Sequence, residues 1–109
     1  MKPLVWLGDS LVRLRAFPAE ARREAGYQLE RVQDERQPAD WRPMSSVGPG
    51  VREIRVRVGG AFRVIYVAKY TEALYVLHAF QKTSRETSRL DIELARERFR
   101  ALVRERVRQ

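Results

Sequence analysis

The chain has 109 residues, 44% of them hydrophobic, which suits one domain-sized core across residues 1–109 and excludes wholesale disorder. It has no cysteine and one histidine, which excludes disulfides, thiolate metal sites and a multi-histidine metal site within one chain. Lys and Arg number 22 against 14 Asp and Glu, a net charge of +8, and such a balance favours a polyanionic partner: nucleic acid, an anionic surface or an acidic protein.

Nineteen of the 22 cations are arginine, a bias that GC-rich coding also produces, so charge alone does not choose among these partners. No apolar run reaches the ~18 residues of a membrane span. The start, Met1 to Leu7, is too short for a signal-peptide core. A cytoplasmic protein with no membrane contact is expected, with no cofactor and no metal. Residues 1–50 carry 8 basic and 7 acidic groups, residues 51–84 carry 6 and 2, and residues 85–109 carry 8 and 5. The positive excess therefore sits in the second half.

Leu4 to Leu7 reads as a short strand. Gly8-Asp9-Ser10 ends it and offers a helix N-cap, with Leu11, Leu14 and Phe17 on one side of the short helix that follows. Pro18 suits the first turn of a second helix. That helix is expected to run to about Glu35, with Ala21, Ala25, Leu29 and Val32 at helical spacing. Gln37 to Gly50 holds three prolines and two glycines and reads as a loop. Trp41 and Met44 are expected to pin it to the core.

Two β-rich runs, within Val51 to Ala68, flank Gly59-Gly60, the mark of a two-residue hairpin turn. That register sets Val56 opposite Arg63 and Ile54 opposite Ile65. One face then holds Ile54, Val56, Arg63 and Ile65. The other holds Glu53, Arg55, Arg57, Phe62 and Tyr66. Leu74 to Phe80 is a further strand, and an antiparallel sheet is expected because sequential strands usually neighbour one another. After a polar basic loop, Ser88-Arg89-Leu90-Asp91 resembles a capping box with Asp for Glu. The helix it opens carries Ile92, Ala95, Phe99, Leu102 and Val103 on its apolar side. Arg96, Arg100, Arg104 and Arg108 form a stripe that reads as a solvated face. The fold class is thus α+β: an N-terminal strand, a helical hairpin, an antiparallel sheet of three further strands and a C-terminal helix.

No phosphate-binding glycine loop, dinucleotide fingerprint or serine nucleophile elbow is present. His78, mid-strand between Leu77 and Ala79, reads as a structural histidine. What remains is a basic cluster on a sheet: Arg55, Arg57, Arg63 and Lys82. Arg63 shares its expected face with apolar residues. A mid-face arginine needs a carboxylate partner or an anion-binding groove. Glu53 is a poor partner in this register. The cluster suits phosphodiester chemistry, in which fixed arginines stabilise phosphorane charge. Lys82 can transfer a proton if neighbouring cations lower its pKa, and Glu53 can act as a base. A basic sheet surface also binds RNA without cutting it.

The series Glu53-Ile54-Arg55, Phe62-Arg63-Val64-Ile65-Tyr66 and Leu77-His78-Ala79-Phe80-Gln81-Lys82 resembles the RelE/ParE superfamily of toxins. Its closer match is the HigB-like branch, often labelled phage-derived. Trp6 to Ser10 and Asp40 to Met44 fit the same branch. The resemblance implies a RelE-like fold and a type II toxin, a ribosome-dependent mRNA endoribonuclease that leaves a 2′,3′-cyclic phosphate or 3′-phosphate. By position, Arg63 clamps the scissile phosphate, Lys82 stabilises charge or protonates the leaving group, and Arg55 holds the neighbouring backbone. Arg52, Arg57, Tyr66, Phe80 and Arg85 are the accompanying candidates for RNA contact. The implied partners are a cognate helix-turn-helix, HigA-like antitoxin, the ribosome with its mRNA, and promoter DNA only as the toxin–antitoxin complex. No tyrosine follows Tyr75, and Glu53 stands where some relatives carry lysine, so the general base and acid stay open. The same fold also serves gyrase-directed, ParE-like inhibitors. It would serve equally for a non-catalytic RNA- or protein-binding module.

Overall fold

Eight elements follow one another in a computed structural model that describes residues 1–108; Gln109, the last residue of the expected domain, lies outside the described residues. They are β1 (Leu4–Trp6), α1 (Ser10–Arg15), α2 (Ala19–Gln33), β2 (Trp41–Pro43), β3 (Val51–Arg57), β4 (Ala61–Val67), β5 (Leu74–Gln81) and α3 (Arg89–Arg108). The strands form one sheet in the order β1-β5-β4-β3-β2. β1 runs parallel to β5 and the other pairs are antiparallel. The three strands expected to be antiparallel, β3, β4 and β5, are so, and the whole sheet is mixed because the first strand joins its edge parallel to the last. Among the described residues no helix is long and apolar enough to cross a membrane.

Each face of the sheet has its own apolar core. Leu14 and Phe17 from the α1 end, with Ala21, Ala25, Leu29 and Val32 of α2, cover Ile54, Val56, Phe62, Val64 and Tyr66. All four α2 residues named from their spacing are buried. On the other face, Ala95 and Phe99 of α3 pack with Met44, Val51, Ile65, Val67 and Leu77. The N-cap half of the capping box forms: the Ser88 hydroxyl accepts from the Asp91 amide at 3.1 Å, while the Asp91 carboxylate accepts from that hydroxyl at 2.5 Å.

The hairpin differs from its expected register. Arg57 pairs with Ala61, so three residues, Val58-Gly59-Gly60, make the turn. Gly59 and Gly60 both have positive φ, 65° and 147°, which is why glycines stand there. One extra turn residue moves every partner by one position and flips the relation between the faces of the two strands. Arg55 faces Arg63, and Glu53 faces Ile65. Glu53, Arg55, Arg57 and Arg63 therefore share the α3 side. Tyr66 lies opposite Arg52 on the α2 side.

Part of the expected loop is a strand. β2 pairs Trp41 with Ile54 and Arg42 with Glu53, and Pro43 is tolerated because this is the sheet edge. Trp41 and Met44 do anchor the segment. The Arg52 guanidinium stacks 4.4 Å over the Trp41 ring, and Met44 is buried.

α2 stops two residues before its expected end. The Glu35 amide donates to Val32 O at 3.0 Å and the Arg36 amide to Arg31 O at 2.9 Å, the two bonds of a Schellman cap. Glu35 holds φ 62° in the position that usually takes glycine. A non-glycine there costs about 1 kcal/mol. Glu35→Gly is therefore expected to raise stability by about that amount, read as a higher urea midpoint with an unchanged slope.

Candidate functional site

The α3 side of the sheet carries the charged residues, and one ion-pair network organises them. Glu53 is 0% exposed and Arg63 5% exposed. Arg42 Nε donates to Glu53 Oε1 at 2.9 Å, and Arg63 Nε lies 3.5 Å from the same oxygen. Arg63 also donates to the carbonyl of Phe62 at 3.1 Å. Glu53 Oε2 and Arg63 Nε have no hydrogen-bond partner. So the pair is coulombic, short of its full hydrogen bonding, and set in the sheet. Glu53 proves to be the carboxylate partner that a mid-face Arg63 requires. The three-residue turn brings them to one side.

Around this pair the cations gather. Arg55 is half-buried and held by Asp40 at 3.1 Å. Arg57 is exposed at the end of β3. Burial is the main force lowering the Arg63 pKa. Glu53 opposes it, and Arg55, Arg57 and Arg42 add to the lowering. Lys82 is half-buried just beyond β5, its amide donating to Ala61 O at 2.7 Å. Its ammonium pKa is pushed below the usual lysine value, first by burial and then by Arg63, with smaller pushes from Arg42 and Arg55 and a counter-pull from Glu53.

Beside this surface lies a cleft of about 380 Å³ lined by Arg42, Pro43, Lys82, Arg85 and Thr87. Arg42 belongs to both the cleft and the Glu53 network. The Thr87 hydroxyl is buried there without a hydrogen-bond partner. Six cations (Arg42, Arg55, Arg57, Arg63, Lys82, Arg85) thus meet three carboxylates (Asp40, Glu53, Glu86), and two of those are already engaged. Such a surface can hold phosphate oxygens and stabilise developing negative charge.

Of the residues named from sequence, Glu53, Arg55, Arg57, Arg63, Phe80, Lys82 and Arg85 are brought together. Phe80 pairs opposite Arg63 and is buried. Arg52 and Tyr66 are not brought there. They occupy the reverse face, and Tyr66 is 0% exposed beneath α2. Arg42 and Asp40 were not among the candidates. Arg42 sits in a three-residue edge strand and Asp40 just before it, too short a stretch for a periodic signal, and only their bonding to β3 reveals them.

His78 is structural, as its place in the strand suggests. Leu77 bulges out of the β4–β5 pairing, and His78 is fully buried. Its Nδ1 lies 3.2 Å from the Arg98 guanidinium, a donor, so Nε2–H donates to Asp91 at 2.7 Å. Arg98 also donates to Leu77 O at 2.9 Å and to Asp9 at 2.5 Å. Arg13 donates to the other Asp9 oxygen at 2.8 Å. The network joins α1, β5 and α3 and seats the His78 ring against Phe80, 5.3 Å between centroids.

The sequence profile of a family described as phage-derived protein, Gp49-like (DUF891), matches residues 13–100. The chain belongs to this family. The match encloses the Glu53 network, the cleft and the His78 network apart from Asp9. No curated protein matches the chain.

Two outcomes are expected. Glu53→Leu alone strands Arg63 and should cost about 3–5 kcal/mol, whereas Glu53→Leu with Arg63→Leu should cost far less; urea unfolding of both variants measures the difference. The second concerns pH. Burial, the largest cause, lowers the His78 pKa below 6.5; Asp91 opposes it, and Arg98 and Arg13 add to it. Below 6.5 the unfolded chain takes a proton that the folded state resists, so stability falls as pH drops from 6.5 toward the lower folded value. Asp9 is held at about 2, chiefly by its hydrogen bond from Arg13, against 3.8 when free. Its contribution is full above 3.8 and is lost as pH falls toward 2. Urea midpoints across this range should fall in two steps, and His78→Gln should remove the upper one.

Proposed function

We propose that the cationic surface around Arg63 and Lys82 binds RNA and cleaves it during translation. The protein would then be a RelE-like, HigB-type toxin of a toxin–antitoxin pair. The observation that carries this reading is the buried Glu53 holding Arg63 and Arg42 in place beside a cleft that also contains Lys82. A rigid guanidinium next to a proton donor of lowered pKa is what phosphodiester cleavage needs. The resemblance of the Phe62–Tyr66 and Leu77–Lys82 segments to the RelE/ParE toxins supports the same reading.

The reaction follows from the residues. The RNA 2′-oxygen attacks the adjacent phosphorus while its proton passes to water in the open cleft. Arg63 and Arg55 stabilise the added charge on the non-bridging oxygens. Lys82 protonates the departing 5′-oxygen. The P–O5′ bond breaks, leaving a 2′,3′-cyclic phosphate and a 5′-hydroxyl. Glu53 is already engaged by Arg42 and Arg63 inside the sheet. Its part is to position Arg63 and Arg42 rather than to act as base. Arg57 and Arg85 hold flanking phosphates. The partners on this reading are translating ribosomes, mRNA and an acidic segment of a helix-turn-helix antitoxin, which would cover the same surface; with that antitoxin bound, the pair would recognise its own promoter.

The test is a 5′-end map of a reporter mRNA in cells after brief induction. Wild type should create new ends inside translated codons, and removing the start codon should abolish them. Arg63→Ala and Lys82→Ala should each reduce cleavage by about 10²-fold or more. Lys82→Arg should keep RNA binding and lose cleavage, because arginine holds its proton. Growth arrest with intact mRNA and inhibited supercoiling would replace this reading with a gyrase-directed one. Salt-sensitive RNA binding with neither arrest nor cleavage would replace it with a binding module.

A further inference from the structure

The reverse face of the sheet carries a second arrangement that the cleft does not use. A cavity of about 230 Å³ lies between the end of α2, the segment from Glu35 to Pro38, and the sheet at Arg52 and Tyr66. Tyr66 is 0% exposed, and its hydroxyl has no hydrogen-bond partner. A buried donor left unmade is costly and calls for an explanation. Burial raises the tyrosine pKa, and the Arg52 guanidinium opposes this by its charge and by its approach to the hydroxyl oxygen; arginine can only donate, so the phenolic proton is kept and has no acceptor.

The other polar walls are cationic. Lys2, Arg36 and Arg52 line the cavity with a single carboxylate, Glu35. Two of these cations are set in place. Lys2 Nζ donates to Ala68 O at 2.6 Å, and Arg52 stacks 4.4 Å over Trp41. The rim is formed by the residue in the left-handed conformation, Glu35, and the Schellman cap it closes. Val32, Pro38 and Ala68 supply apolar wall. This is a small pocket with a buried donor among its lining residues and positive charge around it.

We propose that this pocket binds a small molecule through an oxyanion, a phosphate or a carboxylate, with the Tyr66 hydroxyl and the Arg52 guanidinium as its hydrogen-bond donors. The site stands on the opposite face from Arg63 and Lys82, so it does not depend on the proposed RNA cleavage.

The experiment is an amide NMR titration of the full chain at constant ionic strength, with inorganic phosphate in one arm and acetate in the other. Saturable shifts at Gln37, Arg52 and Tyr66 are expected from at least one anion, and which anion gives them identifies the group. Tyr66→Phe keeps the ring in the core and removes only the donor. It should weaken binding by about ten- to a hundredfold. Arg52→Gln should weaken it similarly, and Lys82→Ala should leave it unchanged. No saturable shift with either anion overturns the proposal. Equal affinity in Tyr66→Phe, or shifts confined to Arg63, Lys82 and Arg85, overturns it as well.

Discussion

Glu53 is a carboxylate with no solvent contact, and Arg42 and Arg63 meet it from the strands on either side. Removing a carboxylate from water is expensive unless cations and donors replace the lost hydration. That requirement ties the edge strand β2 to β3 through Arg42, and β3 to β4 through Arg63. It also holds Arg63 where its charge is only partly compensated, since Glu53 divides its attraction between two guanidiniums. A hydrophobic residue at position 53 would pack a better sheet and leave Arg63 stranded. The network favours charge held in position over stability.

The second constraint is the bulge at Leu77. By placing Leu77 and His78 against the same core, it lets a fully buried imidazole meet Asp91 at the start of α3 and Arg98 one face along that helix. α3 is thereby fixed over the lower sheet through polar bonds as well as through Ala95 and Phe99. Its N-terminal end frames the segment carrying Arg85 and Thr87. Between the two networks, polar interactions rather than apolar area define where the cleft opens.

Much of the architecture was legible in the sequence. The i, i+4 spacing of Ala21, Ala25 and Leu29 and the Ser88–Asp91 cap each reflect a local rule, and each held, while the glycine pair marked where the hairpin turns but not how many residues the turn takes. The hairpin register was not legible. β3 and β4 carry apolar residues on both faces because both faces are covered, so alternation could not choose between a two- and a three-residue turn. That one position separated Glu53 from Arg63 on paper and placed Tyr66 with the arginines. The charged residues of the site were readable as a cluster because Arg55, Arg57 and Arg63 fall on two consecutive strands and Lys82 just past the next. The counter-ion Asp40 and the further cation Arg42 were not, since one precedes and the other sits in a three-residue strand too short to show a period.

The same geometry separates two kinds of cation. Arg63 is locked by Glu53 and the Phe62 carbonyl, so it offers a fixed charge and no proton. Lys82 has its backbone tied to Ala61 at the end of the sheet while its side chain lines the open cleft. Arg63 is the leading charge depressing its pKa, after burial itself. The fixed arginine therefore does two things at once. It supplies positive potential to an anion, and it makes the neighbouring lysine a stronger acid. Exchanging the two residue types would lose both, because a buried lysine would shed its proton and an exposed arginine would never release one.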